Sequence, residues 1–216
     1  AMGFNRYADR QFYRRNPRTA TREIPSKVIR PGAAAIFVVI NCLLFILTTW
    51  FINPLCFYLS PVALIVVLGY SLTKRFTPLA HLVLGLGLSL APIGAYLSLT
   101  ARFDLLPILF SCIVILWVSG FDILYALQDI EFDKSQNLRS IPAALGRGGA
   151  LWVSALLHLG AIALVVAAGL LGDFGWLYWI GGAVFSGLLI YEHLLVKPND
   201  ISKVNLAFAT MNAMAS

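Results

Sequence analysis

Apolar positions along the chain do not alternate but run in long blocks: roughly Gly32 to Phe51, Leu55 to Leu72, Leu79 to Leu99, Leu105 to Leu127, Ala150 to Leu171 and Trp176 to Val196. Each block is close to the ~20 residues that an α-helix needs to cross ~30 Å of hydrocarbon. Six membrane-spanning helices are predicted. A seventh apolar stretch begins near Val204, but Leu206 to Ser216 supplies only about half a span. The expected fold is all-α, a polytopic transmembrane helix bundle.

Composition agrees, with 59% hydrophobic and 12% charged residues, about half the charged fraction of a soluble domain. Disorder, collagen and secreted disulfide scaffolds are excluded. The three cysteines, Cys42, Cys56 and Cys112, lie in or beside apolar blocks without metal-type spacing, and are expected to be buried, inert thiols. Residues 1 to 30 contain eight basic residues and no signal-peptide pattern. The abrupt start and the half-span at the end predict a fragment truncated at both termini.

Loops assigned alternately to the two membrane sides separate the charges. Arg6, Arg10, Arg14, Arg15, Arg18, Arg22, Lys27 and Arg30 precede the first span, and Lys74, Arg75, Lys134, Arg139, Arg147, Lys197 and Lys203 fall on the same side. Only Arg102 falls on the other. This bias places the basic side in the cytoplasm. It also accounts for the net charge of +6 without invoking nucleic acid. Pro54, Pro61, Pro78, Pro92 and Pro107 lie at or within spans and predict kinks. Gly85 with Ser89, and Gly87 with Ala91, form small-xxx-small pairs that allow close helix packing.

Carboxylates at a membrane edge are costly and suggest function. Asp122, Tyr125, Asp129 and Asp133 are spaced by three, four and four residues, which puts them on one helical face at the cytoplasmic end of the fourth span. Like charges one turn apart repel. A divalent cation offsets that repulsion, and hard oxygens at this spacing suit Mg²⁺, which bridges protein to phosphate. A solvated helix end paired with Lys134 and Arg139 is the alternative reading.

Asn5, Asp9 and Tyr13 form a second set at helical spacing on the same side. Asp9 is followed by Arg22-Glu23-Ile24-Pro25, and Asp129 by Arg139-Ser140-Ile141-Pro142, each leading into a new apolar block. The recurrence of Arg-x-Ile-Pro about four spans later predicts an internal repeat. Carboxylates and arginines on one face are what a metal-bound diphosphate requires. Asn16-Pro17-Arg18-Thr19 is read as a turn that shapes the loop after the first acidic helix. His81, His158 and His193 sit on different segments with no partner pattern, and Trp152, Trp176, Tyr178 and Trp179 fit an interfacial aromatic belt.

These motifs resemble the UbiA superfamily of intramembrane aromatic prenyltransferases, especially its 4-hydroxybenzoate polyprenyltransferase branch. The likeness covers nearly the whole of residues 1–216, read as a single membrane domain incomplete at both termini. Asn5 through Asp9 with the loop to Pro25 looks like the first Asp-rich motif, and Tyr70 to Arg75 like the family's YxxxKR loop. Asp122 through Asp133 with Ser140-Ile141-Pro142 looks like the second Asp-rich motif. The family has nine transmembrane helices, so the first, most or all of the second and most of the ninth would be absent.

The resemblance implies Mg²⁺-dependent transfer of a polyprenyl group from its diphosphate to a 4-hydroxybenzoate-like ring, in ubiquinone or menaquinone biosynthesis at a bacterial inner membrane. By position it implies Asn5, Asp9, Asp129 and Asp133 as Mg²⁺ ligands, and Asp9, Asp122, Asp129 and Asp133 as catalytic. Arg22, Lys74, Arg75 and Arg139 would bind the diphosphate. Its partners would be polyprenyl diphosphate, a small aromatic acceptor and membrane lipid, with no nucleic acid. Tyr13 departs from the family, standing where a third Asp is usual, and a phenol is a poor Mg²⁺ ligand at neutral pH. Lys27 and Asn137 stand where Gly is common, and Asn tolerates positive φ. The competing class is a non-catalytic membrane protein or transporter binding lipid diphosphate or ions, which would more often place its carboxylates near the midplane.

Overall fold

Pro31, Pro54 and Pro142 each stand in the first turn of a helix, where a missing N–H is no loss because the first amides have no intrahelical acceptor. The computed structural model describes residues 2–207. Two short helices come first, α1 (Met2–Ala8) and α2 (Arg10–Arg15). Long helices follow: α3 (Pro31–Ile52), α4 (Pro54–Thr73), α5 (Ala80–Thr100) and α6 (Leu105–Ala126). From α6 a 3₁₀ turn, Leu127–Asp129, leads into α7 (Ile130–Ser135). The chain continues through α8 (Ile141–Leu171), α9 (Trp176–Leu195) and the short α10 (Val204–Leu206).

All six predicted spans are helices, with ends within about one residue of expectation except at the start of α8. Among the described residues, five helices are long and apolar enough to cross a membrane. The sixth, α9, has the length, but its two Tyr, two Trp, Glu192 and His193 dilute its apolarity. A continuation of α10 into a seventh span lies outside the described residues. Along α3, Phe37, Leu43, Leu47, Trp50 and Phe51 are exposed and only Thr49 is buried. A helix apolar all round and uncovered belongs against lipid, and the chain is an integral membrane protein. Cys42, Cys56 and Cys112 are free but half-buried, a correction to the buried state expected, because each lies on a helix only partly covered by neighbours.

In lipid the hydrophobic effect gives helices little reason to associate, so close approach and hydrogen bonds decide which ones pair. The central helix α6 packs against α5 on one side and α8 on the other. A Cβ on Gly85 would lie 2.5 Å from Ser119 Oγ and 2.6 Å from Ile115 O, so only glycine lets α5 lie this close to α6. One turn on, Ser111 Oγ donates to Ser89 O at 2.9 Å. The second small pair behaves differently, since Gly87 faces α4 with ordinary room around it. On the other side of α6, a Cβ on Gly120 would fall 2.2 Å from the His158 ring, and Ser154 Oγ donates to Gly120 O at 2.8 Å.

Pro61 and Pro92 lie inside α4 and α5. Pro61 frees the Phe57 carbonyl, and the neighbouring Ser60 Oγ donates to it at 2.8 Å. The one non-helical backbone within the long helices falls at Gly146 instead (φ 69°, ψ −178°), a region essentially reserved for glycine. Ile141–Leu171 is therefore two helical segments meeting at a kink, which explains why the apolar block begins only at Ala150. Behind the second acidic motif, Ile123, Leu124, Leu127 and Ile130 pack into a buried cluster with Ile141, Ala150 and Val196. The helix that carries the acids is thus anchored by its opposite face.

Candidate active site

Asp9 interrupts the first acidic helix. It stands between α1 and α2 with φ −97° and ψ 14°, and the short helix after it carries Tyr13. Asn5 Nδ2 donates to Asp9 Oδ2 at 3.1 Å, and the Tyr13 hydroxyl donates to Asn5 Oδ1. Burial pushes the Asp9 carboxyl above its usual pKa, against the opposing pull of Arg75, Lys74 and Asn5. Burial and the Asp9 charge also raise the Tyr13 phenol, despite Arg22. Tyr13 therefore stays protonated at neutral pH and acts as a neutral donor. Arg22 lies over the Tyr13 ring, 4.4 Å from its centroid.

Asp129 stands at a matching break between the 3₁₀ turn and α7, with φ −104° and ψ 6°. The turn shifts the helix phase without losing the common face. Asp122, Tyr125, Asp129 and Asp133 all line one cavity of about 310 Å³, together with Asn5, Asp9 and Tyr13 from the other motif. The two acidic motifs therefore line a single cavity.

Asn16-Pro17-Arg18-Thr19 joins them. Asn16 has the extended backbone (φ −92°, ψ 116°) that a following proline favours. Its Oδ1 accepts from the Arg18 N–H at 3.0 Å, and Thr19 N donates to Asn16 O at 3.0 Å, which closes the turn. Arg18 is thereby aimed across the cavity, donating to Asp129 Oδ2 at 2.5 Å and to the Tyr125 hydroxyl at 2.8 Å. The sequence puts Arg18 in a turn and among the basic residues on the acids' side of the membrane, without naming it for the diphosphate; spacing does not single it out from Arg14 and Arg15.

Basic residues enter from the end of α4. Arg75 donates to Asp9 Oδ1 at 3.0 Å and to Ala8 O at 3.1 Å. Lys74 Nζ lies 3.9 Å from Oδ2 of the buried Asp133. Arg22, Lys74 and Arg75 line the cavity. Arg139 is not among its lining residues. Its guanidinium donates to Phe76 O at 2.7 Å and its N–H to Lys74 O at 2.7 Å, tying the loop after α4 to the loop after α7.

All three histidines have partners, a correction to the sequence expectation. His81 Nδ1 lies 2.6 Å from Asp122 Oδ2. His158 Nδ1 lies 3.0 Å from His193 Nε2 and 3.7 Å from Glu192 Oε2, and His158 Nε2 lies 3.2 Å from Trp117 O. These contacts join different helices, and Gly85 and Gly120 let α5 and α8 lie close to α6 beside His81 and His158.

Among the described residues, no three Asp, Glu, His or Cys side chains form a ready-made metal cage. Mg²⁺ does not need one, because it takes one or two carboxylates and fills its octahedron with water and substrate phosphate. The donors present fit that pattern, and Asp133 Oδ2 is buried with no hydrogen-bond partner among the described residues.

The UbiA prenyltransferase family model matches residues 1–214. The chain belongs to that family. It is 28% identical over 208 residues to the 4-hydroxybenzoate octaprenyltransferase of Tolumonas auensis, covering 96% of this chain and 72% of the relative. The enzyme of the same name from Salmonella paratyphi B is 31% identical over 209 residues, covering 96% and 71%. Among solved structures, the apo structure of a UbiA homolog from Aeropyrum pernix K1 superposes with a TM-score of 0.89 at 31% identity, over 99% of this chain and 81% of that one. A digeranylgeranylglyceryl phosphate synthase shares the fold, with a TM-score of 0.72 at 21% identity over 98% and 75%. The UbiA-type bundle and the prenyltransferase class follow from these matches.

Proposed function

We propose that residues 1–216 work as one membrane domain that transfers a polyprenyl group from polyprenyl diphosphate to an aromatic acceptor of the 4-hydroxybenzoate type. The observation that carries this is the cavity in which Asn5, Asp9, Asp129 and Asp133 converge with Arg18, Arg22, Lys74 and Arg75. Mg²⁺ held by Asn5 with Asp9 and by Asp129 with Asp133 would neutralise the diphosphate charge that grows as the C–O bond breaks. Arg18, Arg22, Lys74 and Arg75 orient the diphosphate, and Arg139 holds the Lys74–Arg75 loop in place. Each arginine now on a carboxylate exchanges that partner for a phosphate oxygen, a replacement of one charge-assisted bond by another. The relatives' names support the acceptor type and a place in quinone biosynthesis. The charge bias of the loops supports a cytoplasmic mouth, in a bacterial inner membrane.

The test is the chain in a lipid bilayer with a radiolabelled polyprenyl diphosphate and a panel of hydroxybenzoates, with Mg²⁺ and with EDTA. Label should appear in a prenylated hydroxybenzoate only when Mg²⁺ is present. Binding of the diphosphate with no transfer to any acceptor would favour the non-catalytic reading instead.

A further inference from the structure

Four carboxylates line the cavity, and three of them face cations: Asp9 meets Arg75, Asp129 meets Arg18 and Asp133 meets Lys74. Asp122 is different. It is held by a neutral-capable ring, with His81 Nδ1 2.6 Å from its Oδ2, and that ring is fully buried behind the cavity wall. Asp122 itself lines the cavity and keeps 22% of its side chain exposed. It also lies seven residues before Asp129, roughly 10 Å further into the bundle along α6. Asp122 therefore stands deeper along α6 than Asp129 and Asp133, the other two acids of its motif.

The tautomer of His81 follows from its surroundings. His81 Nε2 is buried with no hydrogen-bond partner among the described residues. A proton there would leave an N–H unsatisfied, so the single ring proton belongs on Nδ1, donated to the carboxylate. Packing fixes this geometry: Ser119 Oγ donates to His81 O at 3.1 Å, and Gly85 brings α5 against α6 one turn later. A proton arriving on Asp122 from the cavity stays there, because moving it to His81 would create the unsatisfied Nε2–H.

On the transferase reading above, we infer that Asp122 removes the ring proton of the aromatic acceptor and that His81 is the positioning residue that holds it ready. Transfer forms a bond between the prenyl C1 and a ring carbon beside the hydroxyl, and breaks the C1–O bond, whose electron pair leaves with diphosphate. The ring is then cationic and carries an sp³ C–H. Asp122 takes that proton, and the C–H pair restores aromaticity. Nothing is oxidised or reduced. Tyr70 and Lys74 on the α4 side and Asp133 beyond them are the other titratable groups on this part of the wall.

The experiment compares the chain with His81→Leu, His81→Asn and Asp122→Asn in lipid, using 4-hydroxybenzoate and its analogue deuterated at the ring positions beside the hydroxyl. Asn presents an N–H near the place of His Nδ1, and Leu presents none. His81→Leu should lower kcat at least roughly tenfold, leave KM for the prenyl diphosphate nearly unchanged, and bring out a primary isotope effect absent from the parent. His81→Asn should recover most of kcat and lose the isotope effect. Asp122→Asn keeps the side-chain shape if His81→Leu does not fold, and should be slow with the same isotope effect. Parent turnover in His81→Leu or Asp122→Asn, loss of turnover without an isotope effect, or no recovery by His81→Asn would overturn the role. Failure of the parent itself to prenylate any acceptor would overturn the transferase reading, and this role with it.

Discussion

Asp9 and Asp129 have almost the same backbone conformation, φ −97°, ψ 14° and φ −104°, ψ 6°, and each is followed by a six-residue helix. In both places the helix breaks at an acid that lines the cavity, and the chain then passes through a loop to Arg-x-Ile-Pro. Ile24 and Ile141 are both buried at the ends of those loops. The two halves of the site are thus built to one plan, and they differ in what holds their acids: Arg75 for Asp9, Arg18 for Asp129.

Arg18 is the residue whose loss should separate substrate binding from folding. Its side chain is one-third exposed, so its contacts to Asp129 and the Tyr125 hydroxyl are partly screened and contribute little to folding, whereas a hydrogen bond from it to a charged phosphate oxygen is worth about 1.5–3 kcal/mol. Arg18→Gln should raise KM for the prenyl diphosphate by roughly 10- to 100-fold, with a melting temperature close to the parent's. Steady-state kinetics in lipid and a thermal-shift scan check both halves of this statement.

Asp133→Asn addresses the second motif. Asp133 is buried at 2% exposure, and removing its charge relieves its repulsion with Asp129 one turn away. It also leaves Lys74 without its nearest carboxylate. Prenyl transfer should fall roughly 10²-fold and the Mg²⁺ concentration for half-maximal rate should rise. A variant with parental turnover and Mg²⁺ requirement would leave Asp133 with a structural role alone.

Lipid makes the spans easy to read in the sequence, because every residue of a spanning helix must be apolar or matched. The acids were legible because Asp122, Asp129 and Asp133 repeat at helical spacing, a local pattern. Arg18 with Asp129, His81 with Asp122 and His158 with His193 were not legible, since each pair joins segments distant in the chain. Glycine lets α5 and α8 close on α6 beside His81 and His158, and the Asn16–Thr19 turn aims Arg18. Gly85 and Gly87 look alike in sequence, yet only Gly85 sits at such a contact. The kink at Gly146 was hidden for a related reason: one of several neighbouring glycines takes the unusual φ, and spacing does not say which.

That contrast gives a paired test. Gly85→Ala puts a methyl 2.5 Å from Ser119 Oγ and 2.6 Å from a backbone carbonyl, an overpacking of about 1–3 kcal/mol. Gly87→Ala meets nothing nearer than 3.9 Å. Gly85→Ala should lower the melting temperature and also slow turnover, through the displaced His81. Gly87→Ala should change neither.

Lys27 and Asn137 both adopt left-handed backbone, φ 65° and φ 53°, a conformation that glycine takes at least cost. The strain for a long side chain is about 1–2 kcal/mol, and glycine returns part of it through a more flexible unfolded chain, about 0.4–1 kcal/mol. The difference still favours glycine. Lys27→Gly should raise the melting temperature by a few degrees without altering turnover, whereas Asn137→Gly should do less, because Asn already tolerates this conformation.

Tyr13 stands where another carboxylate would face the same cavity. Its hydroxyl occupies Asn5, and its ring carries Arg22 at 4.4 Å. On the proposed function, both contacts turn a metal ligand, Asn5, and a diphosphate ligand, Arg22, toward a neutral phenol. Tyr13→Asp adds a hard oxygen ligand beside Asn5 and Asp9 and leaves Arg22 a carboxylate in place of the ring. Ligand charge tunes the affinity of such cation sites, so the Mg²⁺ needed for half-maximal transfer should fall, by about an order of magnitude, and the rate at low Mg²⁺ should rise. Tyr13→Phe keeps the Arg22 contact and frees only Asn5, and should shift the Mg²⁺ requirement much less. Equal Mg²⁺ titrations for Tyr13, Asp and Phe at this position would show that the third place of the first motif is not a working ligand position in this protein.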